Sequence, residues 1–305
     1  MTEETPTIDQ QRCGFVALIG APNAGKSTLL NQLVGMKLAI VTHKVQTTRT
    51  RITGAIIEGD SQIIFVDTPG IFKPKRRLDR AMVNTAWRGA GDADLVALLI
   101  DAAEGITEEV EAIIESMVEA KQKAYLVLNK IDAVKREKLL ELTMKLNEAG
   151  IFEETFMISA LKGDGVADLR KVLASRVPLG PWHYPEDHLT DISLRAIAAE
   201  ITREKIYLRL HQELPYAASV LTEQWKEQKD GSVRIEQTIF IQRESQKPIV
   251  IGKGGRTLKK LGELARHEME DVFQMRIHLF LHVKVSENWA DNPWHYQEMG
   301  IDFTE

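Results

Sequence analysis

Eight residues, Gly20-Ala21-Pro22-Asn23-Ala24-Gly25-Lys26-Ser27, followed by Thr28, have the types and spacing of a phosphate cradle. The glycines let backbone N–H groups curl around an anion, and a helix starting at the serine adds the positive end of its dipole. The lysine reaches the β- and γ-phosphates, and Ser27 offers a hydroxyl to Mg2+. Three further clusters follow in order. Asp67-Thr68-Pro69-Gly70 closes an apolar run, so that its carboxylate holds a Mg2+-bound water and its Gly70 N–H senses a γ-phosphate. In Asn129-Lys130-Ile131-Asp132, the Asp132 carboxylate accepts from guanine N1–H and the N2 amine, a donor pair that adenine lacks, so guanine is selected. Ser159-Ala160-Leu161 ends the next apolar strand and supplies a backbone N–H to guanine O6. Between the cradle and Asp67, the loop Gln46-Thr47-Thr48-Arg49-Thr50 offers hydroxyls for the remaining Mg2+ position.

These loops need rigid elements beneath them. Phe15–Ile19, Gln62–Val66, Leu95–Ile100 and Tyr125–Leu128 are continuous apolar runs, the pattern of strands covered on both faces. Between them, Val110, Ile113, Ile114 and Val118 keep helical spacing, with Glu108, Glu109, Glu111, Glu115 and Glu119 on the other faces. This alternation predicts an α/β domain over 14–177, after a tail at 1–13, with a mostly parallel sheet and helices on both faces. Residues 178–191, with Pro178, Gly180, Pro181 and Pro185, read as a linker and hinge about which nucleotide state moves the two domains. Beyond it the texture changes. A helix through Ala196–Leu210 precedes two period-2 runs, Val233 to Ile241 and Ile277 to Val285, each apolar on one face. The prediction is a second, α+β domain over 192–287 with a one-sided sheet, then a tail at 288–305.

The chain has 305 residues, enough for two buried cores, with 44% hydrophobic and 27% charged residues, which excludes a disordered or fibrous protein. Its single cysteine, Cys13, suits a reducing compartment. No apolar stretch reaches membrane-span length, and the acidic, polar start lacks signal-peptide character, which together place the chain in the cytoplasm. The net charge of -5 argues against a nucleic-acid partner, yet its distribution reverses that reading. From Gln246 to Arg266 six basic residues face the single acid Glu263.

The ordered set GAPNAGKS, QTTR, DTPG, NKID and SAL looks like a translation-factor-related GTPase. With Tyr184-Pro-Glu-Asp-His-Leu-Thr-Asp191, Ala199-Glu-Ile-Thr-Arg-Glu-Lys-Ile206 and Ile249-Val-Ile-Gly-Lys-Gly-Gly255, it resembles the Era family of bacterial ribosome-assembly GTPases over about residues 14 to 291. The resemblance implies a P-loop GTPase domain joined to a type II KH domain, and small-subunit (16S) ribosomal RNA near its 3′ end as the ligand. It also implies a role in 30S assembly and a peripheral association with the inner membrane. By the same resemblance, Thr48 is favoured over Thr47 as the Mg2+ ligand, and Asn23 in the P-loop implies a K+ ion beside the phosphates. Ile71 stands where many switch GTPases place a water-orienting glutamine, and an aliphatic chain cannot hydrogen-bond water.

Gly252-Lys253-Gly254-Gly255 matches the KH loop that joins two helices and clamps about four unpaired nucleotides. Lys253, Arg256, Lys259 and Lys260 supply charge for phosphates, and Ile249 and Ile251 an apolar floor for bases. His278 and His282 alternate on the last strand, but no third metal ligand accompanies them. Trp289 and Trp294 belong to the tail and read as docking residues. Two competing functions remain open at this point. One is a membrane-associated or cell-cycle signalling GTPase with a protein-docking second domain. The other is a P-loop ATPase or kinase with an incidental KH-like tail.

Overall fold

The computed structural model describes residues 11–42, 48, 51–74, 76–186, 188–210, 214 and 218–286. Gln46, Thr47, Arg49 and Thr50, and the tail with Trp289 and Trp294, lie outside the described residues. The chain divides into two compact units: described residues up to Leu38 and from Thr48 to Asp191 form one, and Ala39 to Thr42 with Ile192 onward form the other.

The first unit runs β1 (Arg12–Ile19), α1 (Lys26–Val34), β2 (Ile52–Glu58), β3 (Ser61–Asp67), α2 (Arg77–Gly91), β4 (Leu95–Asp101), α3 (Glu108–Glu119), β5 (Ala124–Asn129), α4 (Arg136–Asn147), β6 (Phe152–Met157) and α5 (Val166–Arg176). Its sheet has the order β2-β3-β1-β4-β5-β6, parallel except for the edge strand β2. Successive side chains of β1 and β4 are fully buried, Val16 through Ile19 and Val96 through Ile100, so both faces of the sheet are covered. One face packs Ile19, Leu98, Ile100, Leu126 and Leu128 against Val110, Ile113 and Met117 of α3 and Leu139, Leu142 and Leu146 of α4. Each such side chain contributes about 1.5–3 kcal/mol by leaving water. The helix starts are set by sequence as well: Thr107 caps α3, accepting from the Val110 N–H, and Glu108, Glu109 and Glu111 complement its dipole. In a parallel sheet all the strand-to-helix loops emerge at one edge, and here the carboxyl edge carries the motifs.

Two features differ from the sequence reading. The strand before Ser159 is not an apolar run: β6 reads Phe-Glu-Glu-Thr-Phe-Met and is only half-buried, as an edge strand is, and it ends at Met157. Residues 178–191 are not a free hinge, because they are bonded to the first unit along their length. The Arg12 guanidinium donates to Val177 O (2.7 Å), Cys13 N–H to Pro178 O (3.0 Å), Ala55 N–H to Leu189 O (2.8 Å) and Thr190 Oγ1 to Thr53 O (2.6 Å). The buried Gln62 side chain fastens the middle: Oε1 accepts from His183 N–H (2.9 Å) and Tyr184 N–H (3.0 Å), and Nε2 donates to Tyr184 O (2.8 Å).

The second unit runs α6 (Leu194–Arg209), β7 (Ser219–Glu227), β8 (Val233–Ile241), α7 (Lys247–Ile251), α8 (Arg256–Phe273) and β9 (Ile277–Val285), with sheet order β7-β8-β9. β7 is antiparallel and β9 parallel to the central β8. The core joins Ile206, Leu210, Ile239, Ile241, Val250 and Leu261. Gln237, polar within the apolar face of β8, is satisfied there: it accepts from Thr202 Oγ1 (2.5 Å) and donates to Thr222 Oγ1 (3.0 Å). The sheet is less one-sided than its alternation predicts. Thr238 and Phe240 on the outward face of β8 are buried, and only the half beginning at Arg234 is open. Residues 39–42, expected in the first domain, belong to this unit, and Val41 N–H donates to the buried Glu204 carboxylate of α6 (2.9 Å).

The Gln62 anchor yields a prediction. Gln62→Leu keeps the volume but strips the partners from three backbone groups, at about 1–3 kcal/mol for what stays unsatisfied. Urea unfolding of the full chain should show a lower midpoint with GTP affinity retained below the transition. An unchanged midpoint would mean that the anchoring bonds contribute nothing to stability.

Candidate nucleotide site and nucleic-acid interface

The P-loop connects β1 to α1. Gly25 caps α1 at φ 96°, and a Cβ there would sit 2.2 Å from Asn129 Nδ2, so only glycine permits the close approach. Asn23 is also left-handed, at φ 63°. Lys26 is buried, its Nζ donating to Gly20 O and Ala21 O at 3.0 Å each, which stretches the ammonium back along the loop. Burial lowers its pKa to about 8, against the opposing pull of Asp67. Thr28 lies in the first turn of α1.

At the end of β3, Asp67 is fully buried. Its Oδ2 accepts from Ser27 Oγ (2.6 Å) and Thr48 Oγ1 (3.4 Å), and the two hydroxyls are 2.8 Å apart. Burial raises the Asp67 pKa to about 6, with Lys26 and the two hydroxyls opposing. Its Oδ1 is buried with no hydrogen-bond partner. Two hydroxyls and a carboxylate with an uncommitted oxygen form a hard oxygen donor set, which fits Mg2+. Of the two threonines left open by the sequence, Thr48 is the one described, and it reaches this cluster. Thr68 Oγ1 donates to Leu18 O (2.9 Å), which fixes the turn, and Pro69 and Gly70 after it are buried. Ile71 donates its N–H to Gly20 O (3.0 Å) and buries its side chain in the core under α2 and α3, so it presents nothing to a water.

Asn129 ends β5, and its carboxamide ties three loops together. Nδ2 donates to Ala24 O in the P-loop (2.8 Å), while Oδ1 accepts from Lys130 N–H (2.8 Å) and Ala160 N–H (2.9 Å). Lys130 adopts φ 64° and its Nζ pairs with Asp101 Oδ2 at 2.5 Å. The strand register places Asp101 beside Asn129. Ile131 and Asp132 form a short 3-10 turn that presents the carboxylate outward. A hydrogen bond from Ser159, then the Lys162 ammonium 3.6 Å away, hold the Asp132 carboxyl below its usual range, so it stays ionised and ready to accept. Ser159 and Ala160 are buried and Leu161 is exposed. Ser159 N–H is committed to Asp164 O and Ala160 N–H to Asn129, leaving the Leu161 N–H as the triplet's uncommitted donor among the described residues. The tie made by Asn129 and the Asp101 partner of Lys130 were not foreseen. The only sequence signal for Asp101 is a carboxylate closing the apolar run of β4.

In the second unit, residues 252–255 join α7 to α8. Gly252 has φ 74° and ψ 168°, and a Cβ there would lie 2.1 Å from Thr257 Oγ1. Lys253, Gly254, Arg256 and Lys259 are exposed, and Gly255 is half-buried. Among the described residues Lys253, Arg256 and Lys259 show no acidic partner, whereas Lys260 pairs with Glu263 (2.9 Å). Ile249 is exposed, Ile251 half-buried and Val250 turned into the core. The loop thus presents glycines, cations and an apolar patch together, the chemistry of a backbone clamp. No three-ligand metal cluster occurs among the described residues, His278 and His282 included, and no described helix is long and apolar enough to cross a membrane.

Comparison with known proteins agrees with both halves. Residues 15–130 match the family described as 50S ribosome-binding GTPase, and residues 213–290 the KH domain. The chain is 62% identical over 294 residues to the GTPase Era of Brucella suis, spanning 96% of this chain and 94% of that one. It is 58% identical over 302 residues to that of Mesorhizobium japonicum, spanning 99% and 96%. Two solved structures superpose on it at 37% identity, covering 95% of this chain and 99% of theirs. One is Aquifex aeolicus Era bound to GDP and aluminium fluoride, at a TM-score of 0.89. The other is Era in complex with MgGDPNP and nucleotides 1506–1542 of 16S ribosomal RNA, at 0.90. With the P-loop GTPase unit, the KH unit and this likeness along nearly its whole length, the chain belongs to the Era family of GTPases and hydrolyses GTP to GDP and phosphate.

Proposed function

We propose that the chain is a GTP-driven switch that holds the single-stranded 3′ region of 16S ribosomal RNA in its KH unit and assists assembly of the 30S subunit. The observation that supports this reading best is the loop 252–255, with Lys253, Arg256 and Lys259 exposed and without acidic partners among the described residues, on the same chain as a guanine-type P-loop site. The solved Era complex with a 16S rRNA fragment supports the choice of RNA. A purely membrane or signalling role is not favoured by any of the relatives.

In the proposed mechanism, residues 20–28 cradle the phosphates, with Lys26 released from Gly20 O and Ala21 O to reach the γ-phosphate. Ser27, Thr48 and, through a water, Asp67 would hold Mg2+, which supplies positive charge against the phosphates. Gly70 N–H senses the γ-phosphate. Asp132 accepts from guanine, Lys130 is held beside it by its pair with Asp101, and the Ser159-Ala160-Leu161 turn faces O6. Ile71 is sealed in the core and cannot orient the attacking water. Asn23, in its left-handed position, is assigned to a K+ ion that offsets the charge developing on the phosphates. RNA bases lie against Ile249 and Ile251, with phosphates at Lys253, Arg256, Lys259 and Lys260.

Three experiments test these roles. Asp132→Asn should lower GTP affinity by about 100-fold, since guanine's donor pair loses its acceptor. Xanthosine triphosphate, which carries an oxygen at C2, should then bind the variant better than GTP does. Retained GTP preference would remove Asp132 from base selection. Turnover in K+ should exceed turnover in Na+ at equal ionic strength by about tenfold or more, and Asn23→Ala should erase the difference; equal rates in the wild type would sink the K+ assignment. Finally, coupling is reciprocal, so RNA affinity measured with a GTP analogue should differ from that with GDP. A single affinity for both states would leave two independent activities rather than a switch.

A further inference from the structure

The open half of the KH sheet carries a feature that the GTPase and loop 252–255 do not use. The strand register sets Lys226 of β7 opposite Arg234 of β8, and Arg234 opposite His278 of β9. Three basic residues therefore stand abreast on one row, with Lys229 in the turn just beyond β7. Lys226 and Arg234 are like charges directly opposite one another, which destabilises a sheet; Glu236 offsets this at Arg234 and leaves Lys226 without an acidic partner among the described residues. Two of the nearby acids already have partners on this face. Asp230 accepts from Ser232 N–H (3.1 Å) and Oγ (2.6 Å), with His278 as a further neighbour. Glu236 accepts from Arg234 Nε (2.9 Å) and Nη2 (2.7 Å). Glu227, opposite Val233 in the register, is exposed and lines the same groove as Lys226. Among the described residues Lys226 and Lys229 show no acidic partner.

Beside this row lies Phe280, directly across from Glu236 and 41% exposed on an otherwise polar strand face. The Arg234 guanidinium is held over its ring, 4.1 Å from the centroid. Lys226, Lys229, Arg234, His278 and Phe280 line a groove of about 780 Å3, which the acids Glu227 and Asp230 also line. A planar cation stacked on an exposed ring and flanked by point charges is the chemistry that receives a nucleobase and its phosphates. An acidic protein surface would use the cations but give the stacked planes no role.

We propose that this face is a second RNA contact, on the side of the sheet away from α6 and α8, with Lys226 and Lys229 on phosphates and the Arg234–Phe280 stack against a base. The proposal rests on the RNA reading above and deepens it: an RNA held at loop 252–255 continues to the opposite side of the same sheet.

The test uses the full chain, a fluorescent RNA of nucleotides 1506–1542 as probe, and anisotropy over a salt series. Lys226→Gln with Lys229→Gln should weaken binding about tenfold and reduce the slope of log K against log salt by about 1.5, the contribution of two phosphate contacts. Phe280→Ala should weaken binding about tenfold with the slope unchanged, and neither variant should alter GTP turnover without RNA. If Phe280→Ala lowers the melting temperature below the assay temperature, the slope change of the lysine pair decides alone. Wild-type affinity and slope in the lysine variant overturn this proposal, whatever other association that variant loses. Failure of the wild type to bind the probe instead overturns the RNA reading beneath it.

Discussion

One buried carboxamide holds the nucleotide site in shape. Asn129 donates to the P-loop at Ala24 and accepts from Lys130 and Ala160, so three loops that meet only at the carboxyl edge of the sheet share a single side chain. Because it is 2% exposed, no water can replace what it offers, and each lost bond would leave a buried group unsatisfied at about 1–3 kcal/mol. Its fit in turn requires Gly25, whose absent Cβ leaves the room that the carboxamide fills. The P-loop's glycine and the asparagine of the guanine motif are thus one steric solution, though 104 positions separate them. Shifting either would move the P-loop relative to the Asp132 carboxylate proposed to select the base.

The charges of the site are arranged for a ligand that is itself charged. Burial draws Lys26 and Asp67 toward neutrality, each restrained by the other. The orphaned Asp67 Oδ1 and the stretched Lys26 describe groups whose best partners are a divalent cation and a phosphate anion. Asp132, by contrast, is open to solvent and firmly ionised, which suits an acceptor that must discriminate between bases and not transfer a proton. The same sheet therefore presents a desolvated end for phosphate chemistry and a solvated one for recognition.

Much of this was legible in the sequence, because the motifs are short, local and placed at the ends of continuous apolar strands. Edge elements were less so. β2 is antiparallel at the rim, β6 alternates weakly, and β7 carries a register shift between Thr222 and Gln224 that breaks its period. The anchoring of residues 178–191 was invisible for another reason. It depends on Gln62 bonding residues more than 120 positions away, and a lone glutamine in an apolar run gives no hint of its partner. The Lys130–Asp101 pair was hidden likewise, since only the strand register brings the two together.

That anchoring changes how nucleotide state can be felt by the RNA-binding unit. Residues 178–190 are bonded to β1, β2 and β3, so a signal passing through them would have to break hydrogen bonds. A second covalent route avoids this cost. Ala39 to Thr42 belong to the KH unit, where Val41 is bonded to Glu204, and six residues later Thr48 sits against Ser27 and Asp67. Six residues reach at most about 20 Å when fully extended. In the proposed switch, a Thr48 fixed on metal and γ-phosphate would restrict so short a tether, and its release after hydrolysis would lift that restriction. Coupling of that kind needs no hinge in the proline-rich segment, and under the proposal the order of Thr48, rather than flexibility after Val177, is what loss of the γ-phosphate would change.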